Sequence, residues 1–119
     1  MGYSEYVQTF PYELEYYVTD KGKKPFKEWL DALKDVCARA KIRIRLDHVR
    51  LGSLGDCHSV GDGVQELRID YGPGYRVYFA HEGKRIVLLL LGGDKKSQQK
   101  DIVRAKNCLS DQKGRKHHA

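Results

Sequence analysis

Two arginines and a lysine have side chains of the kind that hold phosphate groups. Arg68 and Arg76 lie in ELRIDYGPGYRVYF (residues 66–79), and Lys95 follows in GGDKKS (residues 92–97). A guanidinium presents several donors in a rigid plane that matches phosphate oxygens, and an ammonium adds a compact charge. Tyr71 and Tyr78 offer aromatic faces on which bases stack, and His81 ends the same stretch. A competing reading pairs Arg68 with Glu66 or Asp70 on an exposed sheet face that Tyr78 simply covers. GGDKKS stands after a strand and before a helix, a setting suited to an anion, but it lacks the spacing of a nucleotide-binding phosphate loop.

These residues need strands to aim them. Val64–Asp70, Tyr75–His81 and Arg85–Leu91 read as three strands joined by YGPG and HEGK, and such short links force antiparallel pairing. Period two then sets Gln65, Leu67, Ile69 and Tyr71 on one face with Tyr75, Val77 and Phe79. Arg68, Arg76 and Tyr78 fall on the other face, expected to be open, with Lys95 and Lys96 emerging at its end. IVLLLL is apolar on both faces, so that strand is expected to be central and covered on both sides.

The rest of the chain supplies the cover. ELEYYV (residues 13–18) reads as a first strand, and Thr19–Gly22 as a turn. Pro25 opens a helix over about 25–35 with Phe26, Trp29, Leu30 and Leu33 on one stripe. A second helix over about 36–51 is stopped by Gly52, although the alternation in KIRIRL also fits a strand. Its cations read as a solvated face or as a landing surface for phosphates or an acidic partner. Ser53–Gly63 reads as loop, and Ser97 caps a third helix to Leu109. The order β-α-α-β-β-β-α predicts an α+β two-layer sandwich, a helical hairpin packed on a mostly antiparallel sheet. One domain covers residues 1–119, with 113–119 a flexible basic tail in which His117 and His118 bind metal weakly at most.

Bulk composition narrows the function classes. The net charge of +6 and pI near 9.2 suit a polyanion or an acidic protein partner. The longest apolar run, Ile86–Leu91, is far short of the ~20 residues a membrane span needs. The polar start MGYSEYVQTF fits neither a signal peptide nor a myristoylation site, so a cytoplasmic protein is expected. Cys37, Cys57 and Cys108 are too widely spaced for a metal knuckle; Cys37 and Cys108 are expected to be buried, and Cys57 sits beside His58 in a loop. The G-x-S-x-G and H-E-x-x-H patterns are absent.

GDGVQELRIDYGPGYRVYF, followed by LLLLGGDKKSQQKDIVRAK, resembles the RelE/ParE toxin superfamily, in its HigB-like, phage Gp49-like branch. The resemblance implies a RelE-like fold with the first strand beside the last. It implies a metal-independent endoribonuclease, without cofactor, that cuts mRNA on the ribosome as the toxin of a type II toxin–antitoxin system. The partner implied is an antitoxin of the HigA-like helix-turn-helix kind. Arg76 matches the GYR motif and is assigned phosphate stabilisation. Arg68 is assigned phosphate binding or control of proton abstraction, and Lys95 a place near the leaving group with Lys96 as helper. Lys96, Tyr71, Tyr78 and His81 are assigned to RNA binding. The chain departs from the pattern in three ways. Glu66 stands where some RelE proteins carry a lysine, and the last helix lacks their tyrosine. The histidines of some HigB proteins have only His58 and His81 as candidates. Tyr71 or Tyr78 would then replace the tyrosine. The same fold also serves ParE-type gyrase inhibitors and inactive proteins that only bind an antitoxin.

Overall fold

In the computed structural model, which describes residues 10–117, a short strand β1 (Glu13–Tyr16) leads into the Thr19–Gly22 turn, closed by Gly22 N–H donating to Thr19 O at 2.9 Å. α1 (Pro25–Ala32) begins at proline, whose missing N–H costs nothing there, and buries Phe26 and Leu30. α2 (Val36–Arg50) begins at Asp35, whose carboxylate accepts from Ala38 N–H at 3.1 Å. At its other end Gly52 takes φ +90°. Gly52 N–H reaches Val49 O at 2.9 Å and Ser53 N–H reaches His48 O at 2.9 Å, which satisfies the last carbonyls. KIRIRL is therefore helical, with Ile42 and Leu46 buried, Arg43 exposed, and Arg45 turned inward to donate to the carbonyls of Arg68, Leu54 and Asp56.

The sheet has five strands in the order β1-β5-β4-β3-β2. They include β2 (Cys57–Gly61), β3 (Val64–Ile69), β4 (Tyr75–Glu82) and β5 (Ile86–Asp94). β1 runs parallel to β5 and every other pair is antiparallel. The expected loop over Ser53–Gly63 is corrected, because its second half is β2. CHSVG has no apolar periodicity and forms as an edge strand by pairing with β3. The signal that reveals it is Asp62-Gly63, a hairpin dipeptide, with both residues at positive φ.

The two-layer expectation is also corrected, because helices cover both faces. α1 and α2 pack Phe26, Leu30, Ile42, Leu46 and Val49 on Leu67, Ile69, Val77, Phe79 and Leu89. α3 (Gln98–His117) covers the opposite face with Ala105 and Leu109, against Val64, Tyr78, Ala80, Leu88, Leu90 and Leu91. A bulge makes room for this second layer: Tyr78 pairs with Leu91 and Phe79 with Leu89, so Leu90 and Leu91 both join the α3 side. α3 passes Leu109 and reaches His117, so residues 113–117 are helix rather than frayed tail, and 118–119 lie outside the described residues. Lys116 pairs with Glu82, Tyr17 Oη–H donates to Asp111, and Arg115 donates to Val18 O, tying that end to the sheet. Cys37 is exposed, since α2 buries Ala38, Ile42, Leu46 and Val49 instead; Cys108 is half-buried. Among the described residues no helix is long and apolar enough to cross a membrane.

Candidate functional site

The β3–β4 register sets Arg68 directly opposite Arg76, and Glu66 opposite Tyr78. Like charges in that relation repel, so something must compensate. Glu66 does: it is fully buried, accepting from Arg68 Nε at 2.9 Å and from Gln98 Nε2 at 2.8 Å. Burial pushes its carboxyl upward, but the hydrogen bonds from Arg68 and Gln98 more than offset this and hold it below the ordinary range. Of the two pairings open to Arg68, the structure forms the one with Glu66. The Arg68 side chain stays 40% exposed, so its remaining donors face solvent.

Arg76 differs. It is 8% exposed, and its Nε is buried without a hydrogen-bond partner. The turn brings Lys95 to it: Lys95 N–H donates to Gly74 O at 2.8 Å. A Cβ on Gly74 would lie 3.4 Å from Lys95 Cβ and 4.0 Å from Arg76 Nη1. Arg68, Arg76 and Lys95 thus gather at one end of the sheet, with Lys95 and Lys96 exposed beside it.

α3 adds residues that the sequence reading did not single out as site residues. Asp101 is 4% exposed, accepts from Ser97 Oγ, and lies 3.7 Å from Arg104. Its carboxylate occupies the space above Gly93, where a Cβ would come within 1.9 Å of Oδ2, and Gly93 is the register partner of Arg76. Gln98 anchors Glu66 from the same first turn. The available signal was Gly92-Gly93, two residues without side chains at the end of an apolar strand, which mark a close approach.

Three expected members lie elsewhere or point elsewhere. Tyr78 is fully buried under α3, so it offers no stacking surface, and burial first and the Glu66 charge second push its phenol well above its ordinary value. Its hydroxyl finds no acceptor in hydrogen-bond geometry. Tyr71 is on the helical-hairpin side, donating to Asp35 at 3.0 Å beneath the Lys41 ammonium. His81 sits at the far end of β4, opposite Val87, with its ring centroid 5.4 Å from that of Tyr12 and 5.7 Å from that of Phe79. Cys57 and His58 form no pair, since Cys57 Sγ engages Gln65 and His58 Nε2 lies 2.5 Å from Asp56. A cleft of about 620 Å³ between β1 and the helical hairpin holds none of the expected site residues. Among the described residues no cluster of three or more His, Cys, Asp or Glu is placed to hold a metal ion.

The arrangement can neutralise a phosphate and the extra charge that develops on it. Glu66 and Asp101 are buried and already hydrogen-bonded, whereas Asp94, the neighbour of Lys95, is half-buried and accepts from Ser97 N–H at 3.1 Å through Oδ1.

Residues 28–109 match the family described as phage derived protein Gp49-like (DUF891). An uncharacterized protein of Haemophilus influenzae is 51% identical over 81 residues, which cover 68% of this chain and 82% of that relative. The matched family is RelE/toxin-like and is associated with the toxins of toxin–antitoxin pairs. The family match covers the sheet end that carries Arg68, Arg76, Lys95 and Asp101, and on that extent the chain belongs to the phage-derived Gp49-like family.

Proposed function

We propose that the protein is a toxin that cleaves mRNA on the ribosome and is held in check by an antitoxin of the helix-turn-helix, HigA-like kind. The carrying observation is Arg76, a buried guanidinium with an unpartnered Nε, beside Arg68 and Lys95. A core keeps such a group at a cost to stability, which fits a charge reserved for a ligand. In the proposed reaction the ribose 2′-oxygen attacks the adjacent phosphorus and the 5′-oxygen leaves, giving a 2′,3′-cyclic phosphate. Arg76 and Arg68 stabilise the phosphorane oxygens, Lys95 serves the departing oxygen, and Lys96 holds the neighbouring backbone phosphate. With Glu66 and Asp101 both engaged, the 2′ proton passes to Asp94, the half-buried carboxylate beside Lys95, to water, or to a group of the ribosome.

The test is induction in cells followed by primer extension on a translated mRNA. New 5′ ends are expected with the wild type and absent with Arg76→Ala, whose thermal unfolding stays near wild type. If wild type yields no new ends while gyrase supercoiling is blocked, the target is gyrase and the nuclease reading fails.

A further inference from the structure

A carboxylate shut away from water needs donors at both of its oxygens. Glu66 is fully buried, and each oxygen has one. Arg68 Nε donates to Oε1 at 2.9 Å, and Gln98 Nε2 donates to Oε2 at 2.8 Å. The first bond fixes the plane of the Arg68 guanidinium along one edge and leaves its Nη groups on the half-exposed side. The second bond comes from the first turn of α3, 32 residues further along the chain. That turn is itself tied down. Lys95 N–H donates to Gly74 O at 2.8 Å, Gln98 N–H reaches Lys95 O at 3.4 Å, and Asp94 accepts from Ser97 N–H at 3.1 Å. Ser97 Oγ donates to Asp101, whose carboxylate lies over Gly93.

We propose that Gln98 is a positioning residue for Arg68, acting through Glu66, so that one turn of α3 sets two cations of the site: Lys95 through its backbone and Arg68 through this side chain. The consequence for cleavage rests on the nuclease reading, whereas the hold on Arg68 does not. Tyr78, opposite Glu66 on β4, keeps its hydroxyl outside hydrogen-bond geometry, so Gln98 is the donor that Oε2 has. The other groups around Glu66 are committed or distant from Oε2. His58, opposite on β2, is turned to Asp56. Asp101 on α3 is engaged by Ser97 and Arg104, and Arg76 lies beyond Tyr78 on β4. Burial pushes the Glu66 carboxyl upward, and the bonds from Arg68 and then Gln98 bring it down. Loss of Gln98 therefore moves Glu66 toward its protonated form. A neutral carboxyl is a weaker acceptor, so Arg68 is released and faces Arg76 without a counter-charge.

Gln98→Leu removes the donor at similar size, and Gln99→Leu, at the exposed neighbouring position, is the control. In the full chain, with neither RNA nor ribosome, the Glu66 carboxyl carbon is followed by NMR against pH, and exchange of the Arg68 Nε–H is measured alongside. Gln98→Leu is expected to titrate at higher pH than wild type and to lose protection of the Arg68 Nε–H over the same range. Gln99→Leu is expected to match wild type. Ribosome-dependent cleavage by Gln98→Leu should fall by about tenfold on the acid side, the scale of one hydrogen bond to a charged group, and recover as pH rises. Gln98→Glu should reverse that limb. Its protonated carboxyl still donates to Oε2, so cleavage persists at low pH and is lost as pH rises and both carboxyls ionise. Gln98→Glu also carries the test should Gln98→Leu fail to fold. A Glu66 titration and Arg68 exchange unchanged in Gln98→Leu overturn the proposal. So does a loss of cleavage equal at every pH, which marks a packing role alone. If wild type cleaves nothing, the nuclease reading fails, and the titration and exchange still decide whether Gln98 positions Arg68.

Discussion

Arg76 and Glu66 are both buried and charged, yet removing them should have opposite effects on stability. Arg76 Nε has no partner, so Arg76→Met removes an unpaired buried donor and leaves no new one. Its unfolding midpoint is expected to equal or exceed wild type, while cleavage falls by about 100-fold, the scale seen when one transition-state donor is lost. Glu66 is the shared acceptor of Arg68 and Gln98. Glu66→Gln removes the charge that separates two facing guanidiniums and is expected to cost about 2 kcal/mol by urea unfolding. The double variant with Arg68→Gln should recover part of that loss, and a fully additive cycle would show that the pair is not coupled. That Arg68 and Arg76 share a face was legible, because alternation along a strand is a local property. That Glu66 would be the buried neutraliser was not, because period two assigns a side and says nothing of what covers it.

At the scale of elements, β5 decides how closely the layers approach. Its bulge at Leu90 turns Gly92 toward α1 and Gly93 toward α3. A Cβ on Gly92 would fall 2.1 Å from Trp29 Cε3, and one on Gly93 would fall 1.9 Å from Asp101 Oδ2. Each alanine substitution is expected to destabilise by about 2–3 kcal/mol. Only Gly93→Ala should also lower cleavage in the folded protein, because it displaces Asp101 and the first turn of α3 beside Arg76. Equal activity of the two folded variants would argue against that link. The helix ends were partly readable: Gly52 marks the stop of α2 through its φ. Asp35 was not read as its cap, because the helical pattern from Pro25 was carried through Leu33 to Asp35. β2 was missed because an edge strand needs no apolar stripe, only a partner.

Across the whole molecule, three carboxylates join separate layers. Asp35 caps α2 and accepts from Tyr71; the Ala38 N–H first, and the Tyr71 hydroxyl besides, hold it low against the effect of burial. Asp111 links α3 to Tyr17, whose hydroxyl is the first cause of its lowering. Glu66 links β3 to α3. A carboxylate whose folded value lies below its unfolded value stabilises the fold above the unfolded value. That stability is lost as pH falls through the folded value. The thermal midpoint should therefore decline below pH 4.5, the ordinary glutamate value, and Glu66→Gln should flatten the decline. An unchanged slope would remove Glu66 from this account. By itself the sequence determined the helical hairpin, the three adjacent antiparallel strands, the faces of β3 and β4, and the approach of Lys95 to the arginines, because periodicity, turns and short links act over a few residues. Only the tertiary structure decided that α3 covers the arginine face, that Tyr78 and Arg76 are buried there, and that His81 stands apart. Those outcomes depend on how the bulged β5 and two bare glycines let a distant helix approach, and no local pattern records that distance.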